Sequence, residues 1–239
     1  MGTRTHDLIS KRHILNRFNK LKNAIKKQTE TLEPTGNYKY FDVVKDAMAG
    51  LILQENRERI LERENEINKL IRSTNRELSS DEIDILKDLV RSRKGDTYEI
   101  EIVPFRKEKM NNGGAIHPFS GGASVTYNNE GSELNKRVIK AHELGHIWLH
   151  PDYYTDDRGV PRRGLIPPEH RKLDAPETHA YIFAELLMEH RNEIYRNHPN
   201  KFPLENKSFH KSLVLSEIEA LFPKYNPKLI PEGTEELEE

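Results

Sequence analysis

The chain has 239 residues, of which 38 are Lys or Arg and 39 are Asp or Glu, and it contains no cysteine. The net charge of −1 argues against a global field that would steer the protein to nucleic acid or acidic lipid. Because cysteine is absent, disulfides and thiolate sites are excluded, and any metal site must use histidines and carboxylates. No apolar run approaches the ~20 residues of a membrane span and no leader peptide is recognisable, so we expect a cytoplasmic protein without membrane association.

The first third of the chain is predicted to be helical. Apolar residues recur at helical spacing over residues 7–27 and 41–72, and Ser79 and Glu82 have the spacing of a capping box that opens a short third helix. We assign residues 1–93 to a partner-binding or regulatory region, because it contains no plausible metal ligand. A chain that begins near Lys94 is therefore expected to keep its metal.

The basic first helix raises the question of nucleic-acid binding. It lacks aromatic residues interleaved with its lysines and arginines, so direct binding is not expected and a solvated face is favoured. A nucleic-acid-associated regulator stays open as a third possibility, and the salt dependence of binding would reveal it.

The remainder of the chain is predicted to be α+β, with a small mixed or antiparallel sheet. Alternation predicts strands at 97–105 and 123–127. The glycine-rich stretch NNGGAIHPFSGG between them is interpreted as a surface loop, with a flap on the substrate side as the alternative. Helices are expected from Ser132 to Pro151, from Asp174 to about His190, and from 213 to 222. Residues 94–222 are predicted to form one domain, and the acidic residues 223–239 a disordered tail.

The stretch KAHELGHIWLH, Lys140 to His150, predicts a metal site. His142 and His146 lie four residues apart, so on a helix they share a face about 6 Å apart along the axis, from which both can bind one ion. Glu143 is rotated by about 100°, which places it beside the ion as a general base. The alternative is a chance match on a charged helix in a chain with 11 histidines.

The third ligand is sought further along the chain. His150 lies about 12 Å along the axis from His142, too far to share one ion, so we expect it to support the site or cap the helix. Glu177 is the best candidate, since a carboxylate on an apolar helix face is costly without a partner. Five other acids compete from the intervening loop or beside it: Asp152, Asp156, Asp157, Glu169 and Asp174.

The segment AHELGHIWLH followed by ETHAYIFAELLM resembles the ImmA/IrrE family of zinc metallopeptidases, over roughly residues 98–188. The resemblance implies a zincin-like domain in which His142, His146 and Glu177 bind Zn²⁺ and Glu143 is the catalytic acid/base. Tyr181 departs from the family pattern, because it stands where Asn or Asp would hold a ligand histidine by its second nitrogen.

The candidates to support the site in this chain, as orienting groups or at an oxyanion, are His150, Tyr181 and Asp174. The Tyr181 hydroxyl or Asp174 is the expected substitute for the Asn or Asp of the family.

The resemblance further implies a zinc endopeptidase that cleaves a protein or peptide at a specific site, such as a helix-turn-helix DNA-binding repressor in a stress or mobile-element switch. An extended substrate is expected to pair with the strand at 123–127. The alternative is a non-catalytic zinc-binding regulatory or sensor protein that acts through its N-terminal helices, and the Tyr181 departure favours it.

Overall fold

The computed structural model describes residues 10–73, 79–83, 97–105, 113–119, 121–150, 174–203 and 207–222. Within these ranges the protein is mixed α+β, as predicted. Its elements in chain order are α1 (Lys11–Thr31), α2 (Tyr40–Ser73), β1 (Glu99–Phe105), β2 (Gly114–Phe119), β3 (Gly122–Asn128), α3 (Glu133–Leu149), α4 (Asp174–Asn197) and α5 (Lys211–Leu221). None of the described helices combines the length and apolar character needed to cross a membrane.

The helices follow the predicted periodicity. Ser10 caps α1 by accepting a hydrogen bond from the His13 backbone N–H at 3.2 Å, and the apolar stripe of this helix is buried against the core. Ser79 and Glu82 form the predicted capping box, since each backbone N–H donates to the other side chain. The rest of that short helix lies outside the described residues. Helix α4 continues about two turns beyond the predicted end at His190.

The sheet contains a strand that we did not predict. Residues 114–119 belong to the stretch interpreted as a loop, yet they form β2 and pair antiparallel with β3, while β1 pairs parallel with β3. The strand order is β1-β3-β2, so the sheet is mixed. Gly121, with a φ of 83°, provides the left-handed backbone for the tight connection from β2 to β3.

Helices α1 and α2 share one continuous buried core with the α3 and α4 helices. Phe18 of α1 packs edge-on against Phe183 of α4, with ring centroids 6.0 Å apart. The Tyr40 hydroxyl at the start of α2 lies 2.9 Å from Nδ1 of the buried His190. The N-terminal helices therefore form part of the hydrophobic support of α3 and α4.

Arg17 connects α1 to the end of α3 through hydrogen bonds and a ring contact. Its guanidinium bonds both carboxylate oxygens of Glu55 at 2.8 and 3.0 Å and donates to the Trp148 carbonyl at 2.7 Å. The same group lies 3.8 Å from the centre of the Trp148 ring, and the indole N–H donates to the Arg17 carbonyl at 2.9 Å. Trp148 is fully buried. The α3 helix is thus anchored by residues from the first third of the chain.

Removing residues 1–93 is expected to unfold the protein. Burial of a large apolar side chain contributes about 1.5–3 kcal/mol, and a domain is stable by about 5–15 kcal/mol. Loss of Ile14, Phe18, Tyr40 and Val44, all buried, would therefore remove most of that margin. Circular dichroism and zinc analysis of the truncated protein test this.

This expectation reverses the one from sequence, in which a chain beginning near Lys94 keeps its metal. A truncated protein that melts cooperatively and binds zinc would show that the core does not need α1 and α2. The functional division at residue 93 stays a prediction.

Candidate metal centre

Two closely packed helices build the centre. Ser132 caps α3 by accepting a hydrogen bond from the Asn135 backbone N–H at 3.0 Å, and the helix ends at Leu149, before Pro151. Helix α4 comes very near because Gly145 has no side chain. A Cβ at that position would lie 3.0 Å from Phe183 and 3.2 Å from the Ala180 backbone. This close packing brings the first turn of α4 to the histidines of α3.

His142, His146 and Glu177 converge on one point. The Nε2 atoms of the histidines lie 3.0 Å apart. Glu177 lies between them, with one carboxylate oxygen 3.2 Å from His142 Nε2 and the other 3.3 Å from His146 Nε2. This group could hold a metal ion. The competing acids Asp152, Asp156, Asp157 and Glu169 lie outside the described residues.

The spacing of these atoms fits a cation. Ligands about 2.1 Å from an ion at tetrahedral angles lie about 3.4 Å from one another, and the separations of 3.0, 3.2 and 3.3 Å are close to this distance. Two imidazole nitrogens and a carboxylate are also a donor set of catalytic zinc sites. The same set suits non-haem iron, so the donors alone do not identify the metal.

The protonation states of His142 and Glu177 also suit a metal. The pKa of His146 is raised instead: burial, the largest effect, lowers it, but the hydrogen bond to Glu177 and the charges of Glu177 and Glu143 outweigh burial. Burial, the largest effect, lowers the pKa of His142 to about 4, which leaves the imidazole neutral near pH 7. Burial would raise the pKa of Glu177, but hydrogen bonding to the two histidines outweighs it and lowers that pKa below its ordinary value. A neutral imidazole and an ionised carboxylate are the forms that bind a metal.

Glu177 lies with the two histidines, as predicted. The reason for choosing it was wrong, because its side chain is not buried on an apolar helix face. The Glu177 side chain is 50% exposed, whereas those of His142 and His146 are 3% and 8% exposed. Glu177 sits at the start of α4, where its carboxylate reaches over the histidines from the solvent side. The open side of the group is therefore next to this carboxylate.

Glu143 lies beside the group in a buried position. Desolvation by burial raises the pKa of its carboxyl to about 7. The backbone of β2 touches it, since a Cβ at Gly114 would come within 2.7 Å of Glu143 Oε1 and of Ile139. Gly114 escaped sequence analysis because its stretch was interpreted as a loop. A side chain with this pKa can accept or donate a proton near neutrality.

The second ring nitrogen of His142 is not held by a hydrogen bond to any described residue. The Tyr181 ring stacks on that of His142, with centroids 4.6 Å apart and planes inclined by 28°. Nδ1 of His142 is buried and has no hydrogen-bond partner among the described residues. Asp174 begins α4, but its side chain lies outside the described part of the structure. Tyr181 therefore contacts His142 with its ring face.

His150 is the C-cap residue that follows α3. Its backbone N–H donates to the His146 carbonyl at 2.9 Å, and its buried ring stacks on that of His179 with centroids 5.3 Å apart. His150 is not a member of the group that could hold the ion. The backbone hydrogen bond agrees with the prediction that His150 caps the helix.

Glu177→Ala is expected to weaken zinc binding at least ~10-fold, because it removes one of three donor groups. Competition with a chromophoric chelator measures this. Glu185→Ala is the matched control, since Glu185 is a carboxylate on the same helix that pairs with Lys211 at 2.9 Å. Equal affinity of the Glu177→Ala variant and the parent would place the third ligand elsewhere, with Asp152 and Glu169 next to be tested.

Comparisons of this chain with protein-family models, with curated proteins and with solved structures each gave no match. The resemblance in the two motifs therefore remains a prediction from the residues that carry it.

Proposed function

We propose that the protein is a zinc-dependent endopeptidase of the ImmA/IrrE type with a zincin-like domain. The convergence of His142, His146 and Glu177 within 3.0–3.3 Å of one another carries the proposal. Glu143 supplies the second requirement, a buried carboxyl of raised pKa next to that group. A structural metal site needs no such neighbour, whereas a hydrolytic site does.

Each residue of the site has a separate role in the proposed hydrolysis. A bound zinc ion would polarise the scissile carbonyl and lower the pKa of the attacking water. Glu143 accepts the proton of that water on a carboxylate oxygen and then delivers it to the leaving amine. His142, His146 and Glu177 hold the ion, and the partial exposure of Glu177 leaves a side open to substrate.

The strand that binds an extended substrate is β2, not β3. The prediction that residues 123–127 pair with substrate is wrong, because β3 is the central strand and is bonded on both sides. Gly113 accepts a hydrogen bond from the Asn128 N–H, so the alternating pattern turns the polar backbone groups of Gly114 and Ile116 away from β3. Among the described residues β2 is an edge, and it passes directly beside Glu143.

A protein substrate in the cytoplasm, such as a helix-turn-helix repressor, follows from the resemblance. The sensor alternative retains one supporting observation, namely that Tyr181 stacks on His142 and that Nδ1 of this histidine lacks a partner among the described residues. In the sensor alternative the three ligands would bind the metal, but the protein would not hydrolyse a peptide.

Digestion of a complex peptide mixture by the full-length, zinc-equilibrated protein tests the function. Mass spectrometry should find new termini that disappear with a chelator and return when zinc is restored. A repressor encoded beside this protein should be cut in the same way. Zinc binding without cleavage of either the mixture or the repressor would overturn the peptidase proposal in favour of a sensor.

A further inference from the structure

The ring of His142 lies in a cluster of three aromatic side chains. Besides the stack with Tyr181, it stacks on Phe222 with centroids 4.4 Å apart and planes inclined by 21°. Tyr181 and Phe222 contact each other as well, with centroids 4.2 Å apart. The three rings form a closed triangle, which we call the aromatic triangle. It joins α3, α4 and the C-cap residue of α5.

A metal-binding histidine is ordinarily oriented through its second ring nitrogen, which donates a hydrogen bond to a carboxylate or carbonyl. In this chain the second nitrogen of His142, Nδ1, is buried and has no such partner among the described residues. The faces of Tyr181 and Phe222 are what contact the ring instead.

We propose that Phe222 and Tyr181 are the positioning residues of the metal centre, and that they orient His142 by packing where a hydrogen bond would ordinarily do so. The inference rests on the proposed metal site and does not require peptidase activity. Phe222 is the less expected of the two, since sequence analysis treated it only as the end of the last helix.

Packing by Phe222 makes the metal centre depend on α5. Val214 and Ile218 bury one face of this helix, and Phe222 continues that face at the next four-residue step. The Phe222 N–H donates to the Ile218 carbonyl at 2.9 Å, which fixes the residue at the helix end. Coupling between sites is reciprocal, so metal binding should also hold the end of α5 in place.

Titration of the full-length protein with Zn²⁺ and Co²⁺ tests the proposal. Phe222→Ala should weaken zinc affinity by about 10–100-fold, the range found when an orienting partner of a ligand is lost. It should also shift the visible absorption of bound Co²⁺, which reports ligand geometry. Phe222→Tyr keeps the ring, so its zinc affinity and its Co²⁺ absorption should equal those of the parent. Leu221→Ala, one residue earlier and partly buried as Phe222 is, lies outside the aromatic triangle; it is the matched control and should change neither.

Tyr181→Phe separates packing from hydrogen bonding. It keeps the ring and removes the hydroxyl, so it should bind zinc as the parent does. Loss of affinity in Tyr181→Phe, or unchanged affinity and Co²⁺ spectrum in Phe222→Ala, would overturn the proposal.

Hydrogen exchange gives a second readout. Addition of zinc should slow exchange at the Phe222 amide, and the same rate with and without zinc would contradict the coupling. None of these measurements depends on cleavage, so the peptidase function can fail while the positioning role stands. Loss of zinc in Phe222→Ala with a normal melting curve supports positioning, whereas a parallel loss of folding would assign Phe222 to stability alone.

Discussion

Glu143→Gln is expected to lower the rate of substrate cleavage by at least ~100-fold, within the range of about 10²–10⁴ for a lost general base. Glutamine has nearly the shape of glutamate but cannot take up the proton. The side chain is buried next to Gly114, where there is no room for a larger group. Folding and zinc content should therefore stay as in the parent, and the loss should appear in the rate of the chemical step.

The measurement is the single-turnover rate of cleavage at saturating zinc, with the metal content of each sample determined in parallel. Glu133→Gln is a suitable control, since Glu133 lies in the first turn of the same helix and is exposed, with a contact to Lys136 at 3.1 Å. It should cleave at the parent rate. Full cleavage or full biological output by the Glu143→Gln variant would exclude Glu143 as the general base and favour the zinc-sensor alternative.

His142→Ala and His146→Ala are each expected to reduce bound zinc from about one ion per chain to nearly none. Each substitution leaves one imidazole and one carboxylate, and two donors do not complete a zinc site. Elemental analysis of protein purified without added metal measures the stoichiometry and also distinguishes zinc from iron.

His150→Ala is the matched control for these variants. It removes a buried imidazole from the same helix, next to the centre but outside the group of donors. Its zinc content should equal that of the parent. Unchanged stoichiometry in both His142→Ala and His146→Ala would exclude the site altogether, whatever the activity of the protein.

The sequence by itself determined the features that arise within single helices. The spacing of His142, Glu143 and His146 places them together because the period of the α-helix is fixed. The start of the helix followed from Ser132, whose side chain satisfies a backbone N–H that the helix leaves unpaired. Glu177 was identified on its own helix by the same periodicity, although burial was the wrong reason for choosing it.

Only the tertiary structure decided what lies around those residues. Strand β2 has no clear alternation and contains Pro118, so nothing local marks it, and its pairing with β3 makes it a strand. The contact of Arg17 with Trp148 joins residues 131 positions apart. That of Phe222 with His142 likewise joins separate helices. Such contacts depend on how the elements pack, and a local pattern carries no information about a partner so distant in the chain.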